Sequence, residues 1–380
     1  MAGLDWQRPE LAAWLRLHST PGIGPVHARS LLAAFGLPAD VFAQHPQAWH
    51  QVVGGAAARA LAAVPADLDA LTERTWQWLH ATGPDEPDRA IVTLADPRYP
   101  RALLATEDPP LLLHAIGQVA ALGPEGERGR IAVVGSRNPT AQGAIHAQQF
   151  AQALAEAGLC VVSGLALGID AAAHEGALQA AGAPACATIA VVGTGLDRVY
   201  PSQHRALARR IAQHGLLVSE FALGTPALAH NFPRRNRLIA GLSRATLVVE
   251  AALRSGSLIT ARLAVEQGKD VLAIPGSIHA PQSRGCHALI KQGARLVESV
   301  QDVLDELGPR PAPAAVAPAA AAGPGDPLLD ALGHDPQGLD ALIARTGLDA
   351  PALQARLLEL ELEGRVARLP GGLFQRLVRA

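Results

Sequence analysis

Residues 131–164 read IAVVGSRNPTAQGAIHAQQFAQALAEAGLCVVSG, and their pattern decides the fold class. Two short runs of Val, Ile, Leu, Ala and Cys, each closed by a glycine, flank a helical segment. Such runs are the mark of strands buried on both faces. The same unit recurs at 187–193 (ATIAVVG), 215–220 (GLLVSE), 245–250 (ATLVVE) and 270–276 (DVLAIPG), with SQHRALARRIAQHG at 202–215 as a further intervening helix. This alternation predicts a parallel sheet with right-handed crossovers, an extended Rossmann-like α/β domain over 86–308. Residues 91–117 are expected to add one or two strands at a sheet edge.

Outward from this centre the pattern changes. Residues 1–85 predict a helical domain in which LAAWLRLHS (11–19) and PVHARSLLAAFG (25–36) flank the turn Pro21-Gly22-Ile23-Gly24. That turn reads either as a helix-hairpin-helix (SAM-like) element whose glycines admit a DNA phosphate, or as a tight helical connection without DNA contact. Residues 309–325, rich in Pro and Ala and without periodicity, predict a semi-extended linker. Residues 326–380 predict a winged helix, with three helical stretches and a hairpin that turns at Pro370-Gly371-Gly372. Its third helix would read a DNA groove, but Glu359, Glu361 and Glu363 favour a protein partner as much as duplex DNA.

Composition narrows the function classes. The net charge of −2 shows no whole-chain affinity for polyanions, so any nucleic-acid site must rest on local charge. Three cysteines, Cys160, Cys186 and Cys286, lack metal-type spacing and argue against a disulfide framework or structural zinc. The start of the chain lacks the pattern of a signal peptide, no apolar stretch is long enough to span a membrane, and a cytoplasmic location is expected.

Four segments between strands and helices carry the candidate chemistry. Gly135-Ser136-Arg137-Asn138-Pro139-Thr140 opens a helix whose free N–H groups and dipole suit an anion, with Arg137 adding a planar fork. The spacing is neither GxGxxG nor GxxxxGK[ST], so a dinucleotide and a nucleoside triphosphate are both disfavoured. At Ser163-Gly164-Leu165-Ala166-Leu167-Gly168-Ile169-Asp170, Asp170 and His174 fall on one helical face. They could form an acid-base pair, but the preferred reading is that Asp170 braces the loop and His174 packs beside it. Phe232-Pro233-Arg234-Arg235-Asn236-Arg237 concentrates three arginines at the opening of a helix expected after Pro233. Over 197–262 there are ten arginines against Asp197, Glu220 and Glu250, a local excess of seven positive charges. Ser255-Gly256-Ser257 offers another anion-ready helix start.

In an open parallel sheet these turns share one rim, so Arg137, Arg234 and Arg237 are expected to line a continuous cationic track for a sugar-phosphate chain. With aromatic residues at 3%, and only Tyr200, Phe221 and Phe232 in this region, backbone gripping with one or two stacked bases is expected.

The blocks GSRNPT, SGLALGIDAAAHEGAL, IAVVGTGLDRVYP, FPRRNRLIAGLS, VVEAALRSGSLITARLAVEQGKDVLAIPG and GCHALIKQGA, in this order, closely resemble the DprA (Smf) family of DNA-processing proteins of natural transformation. The resemblance is dense over 91–307. It implies a Rossmann-like domain that binds single-stranded DNA, dimerises near residues 280–305, and loads RecA recombinase while displacing single-strand-binding protein. Carried over by motif, Arg137, Arg234, Asn236 and Arg237 are the strand contacts, with Phe232 and Arg235 in the same block and Ser255 and Gly256 at the next turn. Gly135, Ser136, Ser163 and Gly164 shape the pocket. No catalytic residue, metal ligand or cofactor is implied. Two positions depart from the pattern: His287, where members tend to have asparagine, and Gln203-His204 after Tyr200-Pro201. The competing readings are a nucleotide-processing hydrolase of the lysine-decarboxylase-like (LOG) superfamily, whose catalytic glutamate is not found beside Val192-Gly193-Thr194-Gly195, and a duplex-binding regulator acting through the winged helix.

Overall fold

The computed structural model describes residues 6–81, 83, 86–123, 129–308, 326–333, 336–369 and 372–377. Its centre is a nine-stranded sheet of β1 (Arg89–Thr93), β2 (Leu112–Gly117), β3 (Arg130–Val134), β4 (Cys160–Ser163), β5 (Thr188–Val191), β6 (Leu216–Ser219), β7 (Ala245–Val248), β8 (Asp270–Ala273) and β9 (Arg295–Leu296). They lie in the order β1-β2-β6-β5-β4-β3-β7-β8-β9. The strands from β6 to β9 along that order pair in parallel, whereas β1 and β2 run antiparallel at one edge. All six apolar runs of the sequence are strands. β9 was not expected, and its two residues are both exposed.

Alternation of side chains makes the sheet two-sided. Ile131 and Val133 pack with Phe150, Leu154 and Ala173 of the helices on one face. Ala132 and Val134 join Leu238, Ile239 and Ala264 on the other. The sheet is therefore doubly wound. The strand order reverses between β3 and β7, and a crevice outside the carboxyl ends of the strands is expected at such a reversal.

Five N-terminal helices, α1 (Arg8–Ser19), α2 (Pro25–Phe35), α3 (Pro38–Ala43), α4 (Pro46–Ala62) and α5 (Leu68–Leu79), precede the sheet. Proline occupies the first turn of α1 to α4, where its missing N–H costs nothing. Their core is continuous with that of the sheet, since Trp14, Trp49, Leu61 and Trp78 share one buried cluster with Ile91, Leu112, Val192 and Leu217. The Pro21–Gly24 turn joins α1 to α2 with Gly22 and Gly24 exposed.

After α6 (Arg101–Leu104), the remaining helices of the sheet domain are α7 (Ala141–Glu156), α8 (Ile169–Gln179), α9 (Arg205–His214), α10 (Asn231–Leu242), α11 (Ser257–Glu266), α12 (Arg284–Lys291) and α13 (Val300–Leu307). α10 begins at Asn231, two residues before the proline that was expected to open it. At the C-terminus α14 (Pro327–Leu332), α15 (Leu339–Thr346) and α16 (Ala350–Leu362) pack on a three-stranded sheet of β10 (Gln337–Gly338), β11 (Val366–Leu369) and β12 (Leu373–Arg376), around Leu332, Leu342, Leu353, Leu360 and Phe374. That arrangement is a winged helix. The expected linker 309–325, and Pro370-Gly371 of the hairpin turn, lie outside the described residues.

Candidate nucleic-acid interface

At the carboxyl ends of β3 and β7 lies a cleft of about 760 Å³. Gly135, Ser136, Arg137 and Asn138 from the β3 turn form one wall, and Arg254, Ser255, Gly256 and Ser257 from the β7 turn form the facing one. α10 supplies Phe232, Arg235 and Asn236, and Asp170 lies at the base. The cleft thus sits at the reversal of strand order.

Its floor is built around a buried arginine. The Arg235 side chain is 4% exposed, and its Nη1 lies 4.0 Å from Asp170 Oδ2. Burial pushes its pKa down to about 10, Asp170 opposing the shift and Arg137 adding to it, so the guanidinium stays charged near neutrality. Asp170 accepts from the backbone N–H groups of Gly164 (3.1 Å) and Ala166 (3.3 Å), bracing the loop after β4. Burial pushes the Asp170 pKa up against the pull of Arg235. Ser163 is fully buried and donates to Val133 O at 2.6 Å, so it shapes the loop from beneath and presents nothing to the cleft. His174 is fully buried with Nδ1 2.7 Å from Thr188 Oγ1, and burial lowers its pKa to about 3. Asp170 and His174 therefore hold separate partners, which matches the bracing and packing roles preferred from sequence.

The helix start after β3 differs from expectation. Thr140 caps α7 by accepting from Gly143 N (3.0 Å), and Glu250, two residues past β7, accepts from Thr140 N (2.9 Å) and Thr140 Oγ1 (2.5 Å). A β-carbon at position 143 would stand 2.3 Å from the Glu250 carboxyl carbon, so only glycine leaves room for this internal anion. The turn spends other donors on itself, with Ser136 N bonded to Glu250 O (2.7 Å) and Asn138 N to Ser136 Oγ (3.1 Å). The anion expected at the start of α7 is thus supplied by the protein itself. What the turn presents outward is the exposed side chain of Arg137, which has no carboxylate partner among the described residues. In the facing turn Ser255 Oγ pairs with Ser257 Oγ at 2.6 Å, and Asn236 Nδ2 donates to Gly256 O at 3.3 Å.

The arginine block does not act as one stripe. Successive residues of a helix turn by about 100°, so positions 234, 235 and 237 point in three directions. Arg235 enters the cleft floor. Arg234, with a side chain 54% exposed, lies over the Phe221 ring at 5.6 Å and 3.8 Å from Glu220 Oε2, outside the cleft lining. Arg237 corrects the sequence expectation outright. Its side chain is 9% exposed, Nη2 pairs with buried Glu220, Nε lies 3.1 Å from Asp108 Oδ2, and Nη1 donates to Asp108 O at 2.7 Å. This guanidinium is committed to two carboxylates within the fold, and the arginines that line the cleft are Arg137, Arg235 and Arg254 rather than Arg137, Arg234 and Arg237.

Arg254, Tyr200 and Asn138 also line the cleft; Tyr200 was counted from sequence among the few aromatics and Asn138 within the first turn, whereas Arg254 was not singled out. Arg254 directly precedes the Ser255-Gly256 turn, which was the available signal. Tyr200 is 52% exposed, and its ring lies 5.6 Å from that of Phe232 at an interplanar angle of 39°. The Arg137 guanidinium lies 5.6 Å over Phe232. Between Tyr200, Phe232 and Arg235 a recess of about 60 Å³ opens. The arrangement can hold phosphate oxygens along one wall and stack bases on the other.

Among the described residues no group of three or more His, Cys, Asp or Glu is placed to hold a metal ion, and no helix is long and apolar enough to cross a membrane.

Comparison with known proteins identifies the family of the chain. A family model described as DNA recombination-mediator protein A matches residues 90–308, and one described as the DprA winged helix domain matches residues 310–372. Protein Smf of Escherichia coli is 43% identical over 306 residues, 78% of this chain and 79% of its own length. DNA processing protein DprA of Streptococcus pneumoniae is 48% identical over 215 residues, 57% of this chain and 73% of its own. The X-ray structure of that pneumococcal protein superposes with a TM-score of 0.64 at 35% identity, covering 80% of this chain and 99% of the other. A structure of DNA processing protein A from Helicobacter pylori, described as revealing a single-stranded DNA binding mode, superposes with a TM-score of 0.51 at 32% identity, covering 57% of this chain and 95% of that one.

Proposed function

Because this chain belongs to the DNA recombination-mediator protein A family, DprA or Smf, we propose that it binds incoming single-stranded DNA in the cleft and delivers the strand to RecA recombinase. The observation that carries this reading is the conjunction of Arg137 over Phe232, Tyr200 beside it, and Arg235 beneath. Phosphates meet Arg137, Arg254 and the buried charge of Arg235, while one or two bases stack on Tyr200 and Phe232. Gly135, Ser136, Gly164, Asn236, Ser255 and Gly256 shape the walls. Arg234 reaches the strand only outside the cleft.

In this reading the protein is a mediator with no reaction of its own. It works in the cytoplasm, displaces single-strand-binding protein, and acts as a homodimer. Support for dimerisation near residues 280–305 comes from the outer edge of β9 and from Ile278 and Leu296, which are 73% and 42% exposed. A nucleotide hydrolase is disfavoured, because Asp170 is held by Gly164 and Ala166, His174 by Thr188, and Thr194 is buried.

The test is binding of oligo-dT by the full chain at several salt concentrations, alongside incubation with nucleoside monophosphates. Steep salt dependence without hydrolysis is expected. Arg137→Ala, which removes an exposed side chain, should weaken the complex by about 1.5–3 kcal/mol and leave the melting temperature unchanged. Undiminished affinity of that variant, or turnover of a nucleotide, defeats the reading.

A further inference from the structure

The cleft is not the only basic surface at this rim. From Tyr200 on the cleft wall the chain passes through a short turn, Ser202–His204, straight into α9. His204 Nδ1, 2.9 Å from Leu165 O, ties that turn to the loop that also carries Gly164. α9 buries Leu207, Ala208, Ile211 and Ala212 and leaves Arg205, Arg209 and Arg210 exposed, with no acidic residue in the helix.

The three arginines are not equivalent. Arg210 Nη1 donates to Glu175 of α8 at 2.6 Å. Arg205 and Arg209, four residues apart, share another flank of the helix about 6 Å apart along its axis, and neither has an ion-pair partner among the described residues. The loop leading to α9 gathers two more cations. Arg198 lies 3.7 Å from Asp197, Asp197 accepts from Gly224 N at 2.8 Å, and the Arg74 guanidinium of α5 lies 3.5 Å from where a Gly224 β-carbon would stand. An ordinary solvated face mixes signs, whereas among the described residues the one carboxylate paired with an arginine of α9, Glu175, is taken by Arg210. Nor does α9 expose a large apolar side chain that could anchor a protein partner.

We propose that a single strand leaving the cleft past Tyr200 continues over α9, where Arg205 and Arg209 take successive phosphates without reading bases. The inference rests on the reading that the cleft binds single-stranded DNA, and it extends the footprint of one protomer away from the β9 edge. Its occupant is fixed by continuity, because α9 begins five residues beyond Tyr200, and by the complementarity of unpaired arginines to a polyphosphate chain.

The test compares an oligo-dT of about six nucleotides, short enough for one groove, with one of about thirty. Binding to the full chain is measured by fluorescence anisotropy across a salt series. For an Arg205→Ala, Arg209→Ala double variant the short oligonucleotide should bind as before, while the long one loses about tenfold and its log K against log salt slope shrinks by about 1.4, at roughly 0.7 per phosphate released. The corresponding double lysine variant should keep the slope. An unchanged long-strand slope overturns the proposal, and so does an equal loss for both lengths. Arg137→Ala serves as the control for the underlying reading and should weaken both lengths. If it weakens neither, the cleft assignment fails, and with it the continuity on which α9 depends.

Discussion

The Arg235 guanidinium occupies the place of a side chain at position 164: its Nη1 lies 1.4 Å from where a Gly164 β-carbon would stand, with Asp170 Oδ2 at 2.7 Å from the same point. Glycine is required here for close approach rather than for an unusual backbone angle. The cation it admits is buried, and among the described residues its Nε has no hydrogen-bond partner and its one carboxylate is 4.0 Å away. A buried charge so thinly compensated gains from any anion that enters the cleft. Gly164→Ala must expel Arg235 or shift the loop. We expect an affinity loss for oligo-dT of about tenfold, near 1.4 kcal/mol, and a stability loss of about 1–3 kcal/mol from overpacking. Anisotropy and thermal melting read the two separately, and full affinity in a folded variant would remove Arg235 from the interface.

Arg237 is expected to behave oppositely to Arg137. Burial raises the Glu220 pKa, and Arg237 and then Arg234 counter that shift. Removing Arg237 leaves a carboxylate that is 5% exposed without its main partner. Arg237→Ala should destabilise the fold by about 3–5 kcal/mol, as the loss of one member of a buried pair does. The folded fraction should bind oligo-dT with the affinity of the parent. A specific affinity loss at unchanged melting temperature would reinstate Arg237 as a strand contact.

What the sequence conveyed and what it hid follow from range. Strands β3 to β8 were legible because a parallel strand covered on both faces must be apolar throughout, and that signal is local. β9 was not, since Arg295 and Leu296 are exposed and form no run. Counting charge over residues 197–262 located the basic region, but could not resolve the roughly 100° that separates neighbours on α10. Nor could it place Asp108, 129 residues before Arg237, against that guanidinium. The occupied start of α7 was hidden in the same way, since Glu250 arrives from the turn after β7, 110 residues further on than Thr140. Close approach at glycine was the part most open to inference, because GSRNPT and SGLALG announce turns whatever fills them.

Two fully buried histidines give the fold a defined acid sensitivity. His114 packs edge-on to Trp78 at 5.9 Å, and His174 bonds Thr188; burial lowers both to about 3. Each ring is neutral in the folded protein, while the unfolded chain takes up a proton near pH 6.5. Their contribution is therefore complete above about pH 6.5 and is lost as pH falls toward the folded values. Asp170 and Glu220, with raised pKa values, act in the opposite sense as pH rises past the ordinary carboxylate range. Between pH 7 and 5 the histidines should cost about 2 kcal/mol each. Urea titrations of the parent and of His114→Phe should show a shallower pH dependence in the variant. Parallel curves would mean that His114 titrates alike in both states.

Tyr200 separates stacking from charge. Its ring is 52% exposed and leans on Phe232, so truncation removes little packing. Stacking of one base on an aromatic side chain is worth about 1–3 kcal/mol. Tyr200→Ala should lose that much affinity for oligo-dT with no change in the salt slope, since no phosphate contact disappears. Arg137→Ala should lower the slope by about 0.7. Loss of slope in the tyrosine variant would mean that Tyr200 positions Arg137 through Phe232. Loss of neither slope nor affinity would leave the cleft gripping the backbone alone.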